Sequence, residues 1–491
     1  MEADAESPVT PVPGGLGSRA LRNTALLLGA RVVSRLLALV TFFGAAASLG
    51  AAGTGRFQTG ITLMSLVSVV VDLGFNNLYV REAARNPQEL SRYLRNVLSS
   101  RAVLAVAGFL ALAAVLAIYG LESLLAAAFA TMVLNAYANV LRSTFYATGR
   151  LLYEAIAIVV EAGILVSLTL LGVRLHMGVA YYLWAYAASY AFSCVFFSIV
   201  IAARRIARLG WQLEPAFLLH WLRLSLPFAA TFVITTIYFK SDLTILPLFR
   251  PYQEVGWYGF AYKPFEALLF IPVTMLNVVF PVLGVYFRAS VAQLQVAINR
   301  FYKALFAVGW PASVGVVLLA PGINALFDRT GHFGPATPAL QILGSGIFLM
   351  FITNAFIGAL NAADRQHLFM WTALASMVAN VALNLALIPS FGYLGAAWAT
   401  NLTELVLLVV GWAFVAREIG RVPVFRLSWR IALAGAVMGA ALLPFRSAHG
   451  LEVLGAILVG VLVYGVALVL VRAFDAEEIA IARRALPSRA R

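Results

Sequence analysis

The chain reads as an all-α polytopic membrane protein of about 14 transmembrane helices, set as two parallel-repeat lobes around a central cleft. Three observations carry that expectation. Of 491 residues, 62% are hydrophobic and only 11% charged, and mean hydropathy is +0.89, whereas a soluble domain carries about 25% charged residues. The apolar residues fall into runs of roughly 20, each long enough to cross a bilayer core about 30 Å thick. The two halves of the chain also resemble each other. With no water in hydrocarbon, each run must satisfy its own backbone as a helix, and the period-2 alternation of a lipid-facing barrel strand is missing.

In order, the spans are 22–46, 57–80, 97–118, 123–146, 153–173, 179–203, 220–247, 257–284, 300–320, 335–360, 367–388, 394–415, 429–446 and 452–472. Pro227 and Pro444 fall inside the seventh and thirteenth, where neighbouring helices can re-satisfy the backbone. Residues 1–18 read as a disordered tail and not a cleavable signal, being acidic and then rich in Pro and Gly. An even span count puts both termini on one side. Five basic residues (Arg56, Arg174, Arg250, Arg329, Arg446) fall on the far side and five more (Arg31, Arg35, Arg142, Lys240, Lys263) inside spans. The other 25 of 35 lie with the termini, which predicts that both termini are cytoplasmic.

Several classes are excluded. No loop exceeds about 20 residues, so no soluble catalytic or nucleotide-binding domain fits, no GxxxxGK[ST] loop occurs, and no enzyme activity is expected. The net charge of +14 is spread over short loops, which argues against nucleic acid. Cys194 is the only cysteine, and the five histidines are scattered, so neither a disulfide nor a metal centre is expected.

The internal match is ordered. Asn139, Ala147 and Arg150 recur as Asn354, Ala362 and Arg365, 215 residues on. Gly178-Val179-Ala180 recurs as Gly395-Ala396-Ala397, 217 on, and Thr54-Gly55-Arg56-Phe57 as Val255-Gly256-Trp257-Tyr258, 201 on. The offset crosses six spans, an even number, so the repeats share orientation, the parallel class of transporter. This predicts lobes at 19–203 and 220–415, a linker at 204–219, and an appendage with a cytoplasmic tail at 416–491.

Charges inside spans point to cargo. Arg31 and Arg35 lie four residues apart near the middle of the first span, on one helical face. Each costs roughly 2.5–3.5 kcal/mol in hydrocarbon, so a water- or anion-filled cavity is expected on that side, and with it an anionic cargo.

Further motifs reach a known family. In the second half stand Lys240-Ser241-Asp242, Glu254-Val255-Gly256-Trp257-Tyr258, Ala261-Tyr262-Lys263, Pro272, Phe280-Pro281, Asn380, Asn384, Leu387-Ile388-Pro389, Phe391-Gly392 and the run from Gly395 to Thr400. In the first stand Asp72-Leu73-Gly74-Phe75 and Arg81-Glu82-Ala83-Ala84. In this order they resemble the polysaccharide-export (Wzx-type) flippases of the MOP superfamily, whose relatives include the MATE multidrug exporters and the lipid II flippase MurJ. The resemblance covers residues 20–415. It implies translocation of a polyprenyl-diphosphate-linked oligosaccharide across the bacterial inner membrane by alternating access, for cell-surface polysaccharide. It implies drive by an ion gradient, H⁺ or Na⁺, without a cofactor, and glycosyltransferases and a polysaccharide polymerase as partners. The rival reading is a MATE-like ion-coupled exporter of small molecules.

A diphosphate needs a cationic lumen that replaces its hydration shell, and arginine binds phosphate with a planar fork. The expected substrate-binding residues are Arg31, Arg35, Lys240, Lys263 and Arg142. Lys263 could instead pair with Glu266 at i, i+3, and Arg142 could snorkel. The ion-coupling candidates are the intramembrane acids Glu161, Glu404, Asp72 and Asp242, isolated carboxylates in an apolar setting being proton or cation carriers. Lys240 and Asp242, at i, i+2, should point to different faces. Arg81, Arg85, Arg92, Arg95 and Arg101 read as an orienting run that meets lipid headgroups, and Tyr181, Tyr182, Trp184, Tyr186 and Tyr190 as an interfacial belt.

Overall fold

A computed structural model describes residues 14–328, 330–475 and 478, with backbone alone for 14–25 and 231. The apolar runs form α1 (Gly14–Asp72), α2 (Phe75–Arg85), α3 (Leu90–Ile118), α4 (Leu125–Ala147), α5 (Leu151–Arg174), α6 (Val179–Ala203), α7 (Pro215–Phe249) and α8 (Tyr252–Leu268). There follow α9 (Phe270–Ala289), α10 (Val291–Phe327), α11 (Ala336–Ser345), α12 (Ile347–Ala362), α13 (Gln366–Glu418), α14 (Val424–Leu442) and α15 (Leu451–Leu470). Residues 14–18, expected in a disordered tail, already belong to α1, because the helical run continues back through them. Arg329 and most of the C-terminal tail lie outside the described residues.

Among the described residues, twelve helical segments are long and apolar enough to cross a membrane, and two of these fold back on themselves. A straight helix of 53 residues, the length of α13, would run roughly 80 Å at 1.5 Å per residue, more than twice the bilayer core. Gly392 breaks it with a left-handed φ of 59°. Asn380 Nδ2 then reaches Thr403 Oγ1 at 3.2 Å across the hairpin. In α1 the break is Gly50. Phe43 stacks edge-on against Phe260 with 4.9 Å between centroids, while Gln58 lies against neighbouring Gly259, so both arms of α1 flank α8. Counting α1 and α13 as two arms each gives fourteen apolar helical segments among the described residues, the number the sequence predicts.

The Gly392 turn is clamped from outside. Arg250 donates to the Pro389 carbonyl at 2.7 Å, and the Glu254 carboxylate accepts the Tyr393 N–H at 3.1 Å. An added Cβ at Gly392 would lie 2.2 Å from a Glu254 oxygen. Gly392→Ala is therefore expected to destabilise the chain by about 2 kcal/mol from the left-handed backbone alone, read as a lower thermal midpoint in detergent.

Buried side chains separate into lobes. Among the described residues, the largest cluster draws on residues 243–473, with Phe42, Phe43, Ala46 and Ala51 as its buried members from the first half, and the other large clusters draw on 45–183 and 75–221. The segment expected as a linker, 204–219, is not a loose connection. Its backbone runs along α3, where Ser91, Asn96 and Ser99 accept the N–H groups of Arg208, Glu214 and Gln212, each at 2.9 Å. The Glu214 carboxylate takes the Arg92 guanidinium at 2.5 Å. α7 begins inside this segment, and Phe217 and Trp221 stack 4.6 Å apart within the first lobe's core. The division between lobes thus falls within α7, which carries Pro227, and not at residue 220. The physical reason is that two aromatic rings at its start bury more surface against α2 and α3 than they would exposed.

Candidate functional site

Helix ends define two faces. One, the basic face, carries the α2–α3, α4–α5, α6–α7, α9–α10 and α12–α13 connections. On the opposite face the lobes close. Gly55 lies against the Tyr252 carbonyl and Gly256 against the Ala51 carbonyl, at distances no Cβ could occupy. Tyr119 donates to Thr244 O at 2.8 Å, and Tyr252 to Tyr119 O at 2.5 Å. Glycines allow this backbone-to-backbone approach.

Toward the basic face the lobes part around a cavity of about 700 Å³. The first arm of α1 supplies Arg31, Ser34 and Arg35, α4 supplies Arg142 and Tyr146, and α5 supplies Glu154 and Glu161. From the second lobe come Lys240 on α7, Tyr262 and Glu266 on α8, and Thr274 and Asn277 on α9. Four of the five expected cationic residues therefore line one space. The fifth, Lys263, sits behind it, its ammonium 2.8 Å from Glu266 and 5.1 Å from the Phe42 ring centroid. That is the pairing its spacing allowed, in place of a lumenal position.

The cations are not equivalent. Arg142 is held between Glu154 at 3.0 Å and Glu161 at 2.8 Å, so it neither snorkels nor stands free. Arg31 donates to the Tyr146 hydroxyl at 2.7 Å, and Tyr146 donates in turn to Glu154 at 3.2 Å. Among the described residues Arg31, Arg35 and Lys240 have no carboxylate partner, and all three line the cavity. Counting Lys263, five basic side chains face Glu154, Glu161 and Glu266, which leaves an excess of two positive charges. In a partly desolvated cleft such an excess acts on an anion far more strongly than in bulk water.

The acids are distributed differently from expectation. Glu161 is not isolated; it pairs with Arg142 and accepts from Ser193. Asp72 stays out of the cavity, because α1 ends there and the fully buried Arg101 reaches from α3 to bind it together with the Val71 carbonyl and Asn76. Arg101 accordingly does not join the headgroup-facing run. Removing either partner would strand a buried charge, so Asp72→Asn or Arg101→Met is expected to cost about 3–5 kcal/mol. The measurable result is a large loss of folded protein on size-exclusion chromatography.

Asp242 and Glu404 meet in a chamber of about 20 Å³ inside the second lobe, which Asn380 and Thr400 also line. Such a space holds about one water-sized occupant. Tyr238 donates to Glu404 at 2.6 Å, Tyr258 donates to Asp242 and lies 3.1 Å from the Thr400 hydroxyl. Phe239, Tyr262 and Leu269 line both chamber and cavity and form the wall between them. Lys240 and Asp242 do point to different faces, one into each space.

Glu154, Tyr146, Thr274 and Asn277 were not singled out in the sequence. Glu154 had a readable signal, lying seven residues before Glu161 and so on the same helical face. Of the aromatic belt, Tyr182 is buried and Trp184 exposed.

The family described as polysaccharide biosynthesis protein matches residues 20–287. Among solved structures, the lipid II flippase MurJ in an inward closed conformation is 15% identical, covering 91% of this chain and 99% of that one, with a TM-score of 0.78. An inward-facing multidrug resistance MATE transporter of the MOP superfamily is 14% identical, over 79% and 94%, with a TM-score of 0.65. A MOP superfamily transporter from Pyrococcus furiosus, described by a binding pocket of reversed polarity, is 16% identical, over 82% and 95%, with a TM-score of 0.54. No curated protein matches the chain. At these identities the likeness is one of fold.

Proposed function

The chain belongs to the polysaccharide biosynthesis protein family, and from that membership we propose that it flips a polyprenyl-diphosphate-linked oligosaccharide across the bacterial inner membrane by alternating access. The single observation that carries the reading is the trio of carboxylate-free cations, Arg31, Arg35 and Lys240, in a cavity open toward one face and sealed from the other.

Arg31 and Arg35 sit on the first lobe and Lys240 on the second. A diphosphate between them replaces its hydration shell with two guanidinium forks and an ammonium. It also bridges the lobes, so its binding favours the arrangement in which they draw together on the basic face. The exposed apolar side chains Val33, Leu36 and Val40 on α1 and Val278, Val282 and Val285 on α9 let the polyprenyl tail remain in lipid while the headgroup enters. The basic face is the cytoplasmic one on the positive-inside bias. Asp242 and Glu404, behind the wall of Phe239 and Tyr262, are the groups for a coupling H⁺ or Na⁺, since with the Thr400 hydroxyl and the Asn380 carboxamide they put several oxygen donors on one small chamber. Glycosyltransferases that build the lipid-linked glycan, and a polymerase that consumes it, are the matching partners.

A small-molecule exporter of the multidrug type would carry cations, which this cavity repels. The test is translocation in proteoliposomes of a fluorescent polyprenyl-diphosphate oligosaccharide against a cationic dye. Flipping of the glycolipid without dye export supports the proposal. Dye export without glycolipid flipping overturns it.

A further inference from the structure

We infer that a second chamber in the first lobe, between α2 and α4, is the subsite for a neutral sugar ring of the cargo; this rests on the function proposed above. The chamber is an open groove of about 460 Å³, within the usual range for small-molecule sites, and is lined by Asn76, Asn77, Val80, Arg81, Asn139 and Ser143. It adjoins the cationic cavity, since Arg142 and Tyr146 line both.

Its chemistry differs from that of the main cavity. There the unpaired groups are cations; here both cations already have carboxylate partners. Arg81 is bound by Glu82 at 2.9 Å, and Arg142 is held by Glu154 and Glu161. What remains free is carboxamide. Asn76 accepts from Arg101 through Oδ1, which leaves its Nδ2 group without a partner among the described residues. Asn77 is exposed to the chamber and makes no hydrogen bond among them. Carboxamides with both donor and acceptor capacity, and no net charge, fit the hydroxyls of a neutral sugar and discriminate against a second anion.

Position supports the assignment. Arg31 touches Tyr146 at 2.7 Å, so a phosphate on Arg31 lies one side chain from the chamber. A sugar esterified to that diphosphate is the part of the cargo that this connection can admit. The chamber then selects the glycan, while the trio of cations selects the diphosphate.

The experiment measures binding of three lipids to the purified full chain in nanodiscs. These are a bare polyprenyl diphosphate, the same lipid carrying a neutral disaccharide, and the same lipid carrying a uronic-acid disaccharide. The neutral glycolipid is expected to bind about tenfold more tightly than the bare lipid, the equivalent of two ordinary hydrogen bonds. Asn77→Trp, which fills the chamber from a position without a bond to lose, is expected to erase that preference and leave bare-lipid affinity unchanged. Arg35→Ala should weaken all three lipids alike. Tight binding of the bare and the neutral-disaccharide lipid with no preference in the wild type overturns the sugar subsite alone. A stronger preference for the uronic-acid lipid overturns its neutral character. Binding of none of the lipids overturns the proposed function and the subsite with it.

Discussion

Alanine at both Arg31 and Arg35 is expected to lower glycolipid flipping in proteoliposomes at least a hundredfold while leaving the folded protein intact. Each guanidinium supplies charge-assisted bonds of about 1.5–3 kcal/mol to a phosphate, and neither has a carboxylate that its loss would strand. Arg35 makes no ion pair among the described residues and faces the open cavity, so its removal should cost transport without costing stability. Arg31 also holds Tyr146, and Arg31→Ala should therefore cost slightly more. Arg35→Lys should recover part of the rate, because an ammonium keeps the charge but loses the bidentate fork. The informative contrast is the pair deletion Lys263→Ala/Glu266→Ala. That ammonium and carboxylate already neutralise each other at 2.8 Å, so losing both keeps the cavity's charge balance and should change flipping less than threefold. If the pair deletion proved as damaging as the double arginine variant, the distinction between paired and unpaired cations would fail, and the headgroup site with it.

How much of this was legible in sequence follows from where each energy term lives. Hydrocarbon makes a charged side chain expensive wherever it sits in a span, so Arg31, Arg35, Arg142 and Lys240 stood out with no knowledge of their neighbours, and they do share one cavity. Lys240 and Asp242 were separable from spacing alone, since two residues of helix turn a side chain through about 200°. What spacing cannot supply is a partner on another helix. The Asp72–Arg101 pair joins residues 29 apart across α1 and α3, and in sequence it looked like one spare acid and one spare base. Glu161 looked isolated for the same reason, because Arg142 comes from α4. Span ends were legible from hydropathy, yet the lobe boundary was not. Phe217 and Trp221 are apolar residues like any others until α2 and α3 are in place beside them.

The seal on the opposite face yields the other large effect. An added Cβ at Gly55 would stand 1.8 Å from the Tyr252 carbonyl oxygen, and one at Gly256 1.9 Å from that of Ala51. Both obstacles are backbone, which a rotamer change cannot move. Gly256→Leu must therefore pry α8 from α1. Overpacking of this kind costs about 1–3 kcal/mol, enough to shift a two-state equilibrium by about 5- to 150-fold. Strain confined to the closed contact is relieved in a state where that contact is open, so the basic face should close and the opposite face open. The readout is a cysteine in place of Ser34 within the cavity, with Cys194 replaced by serine, labelled by a membrane-impermeant maleimide. Gly256→Leu is expected to reduce labelling from the basic face at least fivefold, raise it from the other side, and lower flipping about tenfold. Gly163→Leu is the control, because nothing lies within 4 Å of a Cβ there, and it should behave as the parent. Labelling that falls from both sides would mean collapse of the cavity, and unchanged labelling would mean that the lobes do not exchange through this contact; either result would sink alternating access about the Gly55–Gly256 seam. The expected pattern would tie the two halves of the proposed mechanism together, since Arg31 and Arg35 on one lobe and Lys240 on the other, the residues proposed to bind the headgroup, lie on the two lobes that this glycine contact holds at the far end.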